Sequence, residues 1–371
     1  MNHLNTMKEK ICLMLFTASL FSGCIFGQAD TLTNRYALAD TQDVKVTLFD
    51  TDDLFNITLA FDISTYKKNK SNLEYLDAVL TYFHNENDSV VKHLKVRARG
   101  NIRRTAICDF PPLMLNFKMK DSKGVEFSGI NKLKIVPYCK EGFEDLILRE
   151  YLVYKLYNIL TDQSFRVRLF RIKYINTARV KKPITQYGFA IEPKNLIEKR
   201  TASKEILLQG LSQKLFDQEV LTRVALFNYM IGNTDWSVPI QHNVLLLRRI
   251  KPAFATDNPI IPYDFDYSAL VGAPYAIPFE TLPIKTVQER LYLSVCRSET
   301  SFSSALDEFS AKKDQFYKVI NDFPYLSPRS KKEMIKYLDS FYWGMYKRNY
   351  LINKLLDDCF WFEEHSNLNR R

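Results

Sequence analysis

The sequence predicts an α+β fold in two parts, an antiparallel sheet with one helix followed by a mainly helical part. Three observations carry this prediction: apolar residues alternate through much of residues 43–192, one segment within that range has helical spacing, and helical spacing dominates after Gln213. No repeat or low-complexity linker separates the two parts. We therefore expect two lobes of one domain, about 40–195 and about 200–365, with a short connection between them at residues 192–200.

The first 29 residues are typical of a secretory signal. Lys8 and Lys10 precede the apolar stretch ICLMLFTASLF, which is too short to span a bilayer. Two cleavage sites stay open: LFSGC, ending at Cys24, resembles a lipoprotein cleavage box and would leave a lipid anchor, whereas the small residues ending at Ala29 suit ordinary cleavage. We therefore expect an exported protein of the periplasm or cell envelope, with an outer-membrane lipoprotein as one alternative and no transmembrane helix after cleavage.

Four cysteines follow the signal, and an even number in an exported chain permits two disulfides in three connectivities. We expect Cys108 to pair with Cys139, since both border predicted strands in one region; free buried thiols are the alternative. No CxxC or HExxH spacing occurs, which argues against a transition-metal site. The net charge of +10 is spread along the chain and indicates a solvated basic surface, with no nucleic acid as partner.

The predicted strands of the first part follow from period-two alternation. They are VKVTLF (44–49), DAVLTYF (77–83), LKVRARG (94–100), PLMLNFKMK (112–120), LKIV (133–136), FRVRLFRIKYI (165–175) and QYGFAIEP (186–193). Between the fifth and sixth, residues 144–160 place leucines at helical spacing after two acids, which predicts one amphipathic helix.

In the second part, a helical stripe from Val220 to Ile231 runs into Gly232, a natural helix terminator. HNVLLL (242–247) and IIPYDFD (260–266) then have strand character, since proline excludes helix from the latter. Later, Ser327 and Pro328 predict the N-cap and first turn of a long helix, and a final helix rich in aromatic residues follows.

Oxygen-bearing side chains lie before the first of these two strands, at its start, and at the end of the second. Phosphoryl transfer needs metal ions held by carboxylate and amide oxygens, an acid near the attacking hydroxyl, and cations on the phosphates. Asp235, Asn243 and Asp264 could supply the oxygens, because a hairpin would bring the strand ends to one edge. Asp235 has an ordinary alternative as a helix cap, and Asp264 with Asp266 as solvated strand acids, but their combination with Asn243 favours a site. A polysaccharide hydrolase has little support, since Asp264 and Asp266 are neighbours on one strand.

The segments GNTDWSVPIQHNVLLL and PYDFD resemble the catalytic and metal-binding segments of atypical kinases of the CotH (spore coat protein H) type, and more distantly those of HipA-type kinases. VRARGN (96–101) resembles the RGN segment near the start of CotH-like domains, and GFAIEP the stretch before their interlobe connection. The resemblance covers roughly residues 90–270. It implies a bilobal protein-kinase-like fold over residues 30–371, and an exported kinase that uses ATP and Mg²⁺ to phosphorylate a protein or another hydroxyl acceptor.

The resemblance also implies roles for individual residues. Asp235 would be the catalytic acid at the acceptor hydroxyl, with Asn243, Asp264 and Asp266 as metal ligands. Around ATP, it implies that Arg99 and Asn101 lie in a phosphate-covering loop and that Lys118 or Lys134 binds a phosphate. Glu150 would orient this lysine. Glu192 would lie on the adenine side.

Two departures from the kinase pattern keep a second hypothesis open. Asp235 and Asn243 are eight positions apart instead of five, so the residues between them must form a bulge or a longer loop. No GxGxxG motif occurs, so the phosphate loop would depend on arginines such as Arg99, Arg103 and Arg104. The alternative is a noncatalytic envelope protein, a pseudokinase or interaction scaffold that could be lipid-anchored.

Overall fold

Seven strands of the first part form a closed barrel. The computed structural model describes residues 46–85, 88–117, 126–250 and 258–366; the expected signal segment and Lys118 lie outside them. The strands are β1 (Phe55–Phe61), β2 (Leu76–Asn85), β3 (Asp88–Ala98), β4 (Leu113–Phe117), β5 (Lys132–Pro137), β6 (Val167–Asn176) and β7 (Ile184–Ile191). Their order around the barrel is β1-β2-β3-β4-β5-β7-β6.

The pairing of β1 with β6 closes the barrel and overturns the expected bilobal kinase-like architecture. All other pairs in the barrel are antiparallel, but β1 runs parallel to β6, with Phe55 opposite Phe170 and Phe61 opposite Asn176. The first part is therefore a closed mixed barrel instead of an open antiparallel lobe, within a mixed α+β chain. Closure leaves no strand edge of this sheet unpaired.

The start of the barrel was predicted one segment too early. The segment VKVTLF was expected as a strand, but residues 46–50 form a turn, although Leu48 and Phe49 are buried. The first strand is the next segment, FNITLAF, which the sequence analysis passed over. Apolar alternation marks residues that face a core, and a buried turn with two apolar anchors produces the same pattern as a short strand.

Two separate hydrophobic cores follow from the alternation along the strands. Side chains that point into the barrel, such as Leu59, Leu80 and Leu115, form one core. Outward-facing side chains of β6 and β7, such as Leu169 and Phe189, belong to the other core, together with the helices. Helix α2 (Glu144–Leu160) contacts both strands and so connects the barrel to the rest of the chain.

The expected helices are present, with some that were not expected. They are α1 (Ile63–Lys68), α2 (Glu144–Leu160), α3 (Lys194–Arg200), α4 (Gln218–Ile231), α5 (Glu299–Ala311), α6 (Lys313–Asp322), α7 (Pro328–Tyr346) and α8 (Arg348–His365). The Ser327 side chain accepts a hydrogen bond from Ser330 N at the start of α7, which confirms the predicted cap. The connection at 192–200, expected to be a short hinge, contains α3.

A small sheet carries the two strand-like segments of the second part. Its order is β10-β9-β8, from β8 (Ser203–Glu205), β9 (Val244–Arg249) and β10 (Ile260–Pro262). Both disulfides form, and the expected pair of Cys108 with Cys139 is confirmed; the other joins Cys296 to Cys359. Within the described part of the chain, no helix has the length and apolar character to cross a membrane.

Candidate functional site

The end of α4 fixes the first acidic residue of the site. Gly232 terminates the helix in the left-handed region at φ +65°, as the sequence predicted. Beyond it, the Asn233 side chain donates to Asn228 Oδ1 at 2.8 Å, and its own Oδ1 accepts from Asp235 N at 3.2 Å. Asn228 and Asn233 are almost fully buried. This chain of amides holds the backbone of Asp235 against the helix end.

A tight hairpin accounts for the unusual spacing between Asp235 and Asn243. Ser237 and His242 pair as an antiparallel bridge, so the four residues between them fold into a turn. Beyond the bridge, Asn243 Nδ2 donates to Asp235 Oδ2 at 2.9 Å and to the Asp235 carbonyl oxygen at 2.8 Å. The two side chains therefore meet despite the eight-residue separation. The turn between them packs against the chain, since Val238 is buried and the Pro239 carbonyl oxygen accepts from Gly210 N at 2.7 Å.

Asn243 and Asp264 stand at the facing ends of β9 and β10. Val244 pairs with Pro262, and Tyr263 N donates to the Asn243 carbonyl oxygen at 2.9 Å. Asn243 and Asp264 both adopt positive φ, +51° and +61°. Non-glycine residues are uncommon in this region and tend to cluster where function sets the backbone. The hairpin expected from sequence thus brings the amide and the second acid to one edge.

The barrel contributes two cations near Asp264. The outer face of the barrel carries Lys134 on β5, opposite Met114 on β4 and, beyond it, Arg97 on β3. Arg99, two residues after Arg97, lies on the same face because side chains alternate along a strand. Burial lowers the pKa of Lys134 to about 8, with Arg99 adding to the decrease and Asp264 opposing it. Burial likewise lowers the pKa of Arg99, and Asp264 opposes it.

The Asp264 backbone is anchored by α2, while its carboxylate stays available. Asp264 N donates to the hydroxyl of the buried Tyr154 at 2.9 Å. Lys134 Nζ lies 5.7 Å from the ring centre of Tyr263, the preceding residue. Among the described residues, no side chain forms a hydrogen bond or an ion pair with the Asp264 carboxylate. A half-buried carboxylate beside two cations suits a charged ligand.

Arg103, expected from the sequence only as one of several phosphate-loop arginines, contacts two acids of the site. It begins a π-helical turn (Arg103–Ile107), and its guanidinium donates to Glu150 Oε2 at 2.5 Å and to Asp266 Oδ2 at 2.7 Å. Tyr275 also donates to Asp266 Oδ2, at 3.0 Å. Burial raises the pKa of both carboxyl groups, and Arg103 opposes this increase. The expected glutamate on α2 thus pairs with Arg103, which follows the RGN segment, instead of a lysine.

Two other expected residues, Asn101 and Glu192, have different surroundings. Asn101 is exposed and begins the loop that leads into the π-helical turn, where its carbonyl oxygen accepts from Arg104 N at 3.0 Å. The carboxylate of Glu192 is buried and accepts from Arg200 Nη2 at 2.9 Å and from Arg166 N at 3.1 Å. Lys134 pairs with Ile191, the residue before Glu192. Lys118 cannot be placed, since it lies outside the described residues.

The donor set near Asp264 fits magnesium. Mg²⁺ takes oxygen ligands and is often held by one or two carboxylates together with substrate phosphates. The Asp264 carboxylate is available, and the Asn243 amide, whose nitrogen binds Asp235, keeps its oxygen as an acceptor. Asp266 is largely occupied by Arg103 and Tyr275. In the part of the chain described, no group of three or more His, Cys, Asp or Glu side chains could hold a metal ion alone.

His242, which the sequence suggests is a supporting or packing histidine and not a ligand or base, contacts Asp235. Its Nε2 lies 2.8 Å from Asp235 Oδ1, and this hydrogen bond raises the pKa of the imidazole. With Asn243 on Oδ2, both carboxylate oxygens of Asp235 have partners.

No family model matches the chain, and no curated protein matches it.

Proposed function

We propose that this chain is an exported phosphotransferase that moves a phosphoryl group from ATP to a hydroxyl acceptor, such as an exported protein. The observation that carries the proposal is the meeting of Asp235, Asn243 and Asp264 at one edge of the small sheet, beside Lys134 and Arg99 on the barrel. The resemblance of these segments to those of CotH-type kinases supports the same chemistry, although the barrel replaces the architecture that the resemblance implies.

Each residue then has a role set by its surroundings. Lys134 and Arg99 neutralise phosphate oxygens, where their partial burial strengthens the interaction. Asp264 and Asn243 would hold Mg²⁺, which supplies charge neutralisation on the phosphates when bound. Asp235, held by Asn243 and His242, accepts a hydrogen bond from the acceptor hydroxyl and orients it.

Export is supported by the two disulfides. Disulfides persist in oxidising compartments such as the periplasm and are rare in the cytosol. Cys108 and Cys139 are both buried, as is Cys359. Together with the signal-like N-terminus, they favour a place in the cell envelope, either free in the periplasm or lipid-anchored through Cys24.

Ligand-induced stabilisation tests the proposal directly. At a Mg-ATP concentration one hundred times the dissociation constant, binding should stabilise the folded chain by about 2.7 kcal/mol, measured as an increase in melting temperature. Asp264→Asn should abolish this increase. Asp235→Asn should keep it but abolish transfer of ³²P from labelled ATP to an envelope extract.

Asp307→Asn is the matched control, because Asp307 is an exposed acid whose partner is Arg348 on α8. This variant should bind and transfer as the parent does. If the parent shows no increase in melting temperature at millimolar Mg-ATP, the phosphotransferase proposal is wrong.

A noncatalytic scaffold is the second candidate, and one observation favours it. Both oxygens of Asp235 are engaged, by His242 and Asn243, so an acceptor hydroxyl must compete with existing hydrogen bonds. Under this candidate, nucleotide binding would be weak or absent, and Asp235→Asn would leave every binding property of the chain unchanged.

A further inference from the structure

One arginine joins three distant segments of the candidate site. The Arg103 guanidinium contacts Glu150, 47 positions away on α2, and Asp266, 163 positions away and two residues past Asp264. Its side chain is only 11% exposed. A guanidinium buried between two carboxylates fixes the position of both, because withdrawing it would leave two buried acids without a countercharge.

The loop that carries Arg103 has no apolar anchor of its own. Its apolar residues are not buried: Ala106 is exposed, Ile107 is only partly buried, and Ile102 before the turn is 52% exposed. The loop is held by polar contacts: Arg104 donates to the carbonyl oxygens of Lys70 and Gly100, and Cys108 N donates to the Arg103 carbonyl oxygen at 2.8 Å. At Cys108 the chain becomes buried, and there it is covalently attached.

The attachment point lies between two other parts of the site. Cys139, the partner of Cys108, follows β5, which carries Lys134, and precedes α2, which carries Glu150. Phe110 N also donates to the Cys139 carbonyl oxygen at 2.9 Å. The disulfide thus attaches the Arg103 loop to the segment between Lys134 and Glu150. Such a crosslink removes conformations in which the loop moves away from that segment.

We propose that Arg103 is a positioning residue for the Asp264–Asp266 segment, and that the Cys108–Cys139 disulfide holds its loop in place. The first statement rests on the proposed function, since it assigns Arg103 to the Mg-ATP site. The second is a claim about the loop and can be tested without nucleotide. Only the oxidised chain therefore presents the assembled site.

The second disulfide provides a matched control. Cys296 precedes α5, and its partner Cys359 lies on α8, at a separation of 63 residues against 31 for the first. Removing it should also lower the melting temperature. None of the described contacts of Cys296 or Cys359 reaches Arg103.

The experiment compares two double variants, Cys108→Ser with Cys139→Ser and Cys296→Ser with Cys359→Ser, each kept well below its melting temperature. Limited trypsin digestion mapped by mass spectrometry measures cleavage after Arg103 and Arg104. We expect cleavage there to be at least tenfold faster in the first variant than in the parent or the control. Equal cleavage rates in the two variants would overturn the role of the disulfide, whether or not the chain binds nucleotide.

Arg103→Lys, which keeps the disulfide, tests the positioning role. A lysine can contact one of the two acids but cannot span both with a planar fork. We expect at least a tenfold rise in the Mg²⁺ concentration that gives half-maximal ATP binding, with an unchanged rate of tryptic cleavage in the loop. An unchanged Mg²⁺ requirement would overturn the role of Arg103, whereas no ATP binding by the parent would instead refute the proposed function.

Discussion

Replacing Gly232 with alanine should destabilise the chain more than the same replacement at Gly210. Both glycines have positive φ, +65° and +77°, so each alanine costs about 1–2 kcal/mol of backbone strain. A Cβ at position 232 would lie 2.1 Å from Tyr337 Oη and 2.7 Å from Ala269 Cβ, whereas at position 210 it would meet nothing within 4 Å. Overpacking adds about 1–3 kcal/mol, so we expect about 2–5 kcal/mol for Gly232→Ala and about 1–2 kcal/mol for Gly210→Ala.

Urea unfolding followed by circular dichroism measures the loss of unfolding free energy in both variants. A Tyr337→Phe background isolates the part that comes from the contact between the new Cβ and the Tyr337 hydroxyl. Phenylalanine lacks the hydroxyl that causes the closest contact and leaves the ring carbon at 3.0 Å. The cost of Gly232→Ala should therefore fall by about 1 kcal/mol or more in this background, a coupling that a double-mutant cycle measures directly. Equal costs at Gly232 and Gly210, or no coupling to Tyr337, would refute the assignment of Gly232 as a packed helix terminus.

Three further predictions concern the site itself. The rate at which amine reagents label Lys134 should level off above about pH 8, because burial lowers its pKa to about 8, while labelling of the exposed Lys318 should still rise; parallel profiles would contradict this. In metal-free buffer, NMR should find the His242 pKa above 6.5, and Asp235→Asn should return it toward that value. Because the folded pKa is the higher one, the stabilisation is complete below pH 6.5 and is lost as pH rises through the folded value. Asn243→Ala removes two hydrogen bonds and should lower the free energy of unfolding by about 1–3 kcal/mol in urea titrations; an unchanged value would show that this contact does not hold the hairpin.

Local patterns were sufficient to predict much of the secondary structure. The predicted helix at 144–160 agrees with α2, and Gly232 ends α4 as its place in the pattern indicated. These features depend on neighbours within a few residues, such as acids in a first turn or a glycine that accepts positive φ. The pairing of strands β9 and β10 was also within reach, since the strands are close in sequence.

Barrel closure could not be predicted in the same way. It depends on β1 lying parallel to β6 across more than one hundred residues, and nothing in FNITLAF indicates which strand it will pair with. The resemblance to kinase segments even favoured the wrong architecture, because it rested on site residues and not on the sheet that supports them. Site chemistry and supporting fold are separate inferences.

The role of Arg103 lay beyond the sequence for a related reason. An arginine run after RGN suggested phosphate contacts, but burial between Glu150 and Asp266 becomes visible only when three distant segments are assembled. Lys134, one of the two lysines considered for this position, instead lies near Asp264 and Tyr263. Charge partners are set by tertiary packing, and residue type alone leaves several pairings equally plausible.

Because Ser237 and His242 pair as a bridge, the contact between Asp235 and Asn243 does not depend on the number of residues in the turn between them. Of the four turn residues only Ile240 is exposed, so residues could be added there while Asp235 and Asn243 kept their contact. Insertions there should be tolerated far better than any within the flanking segments. A sequence motif with a fixed spacing between the acid and the amide would therefore miss chains with the same contact and a turn of another length. A motif with a variable spacing would include them.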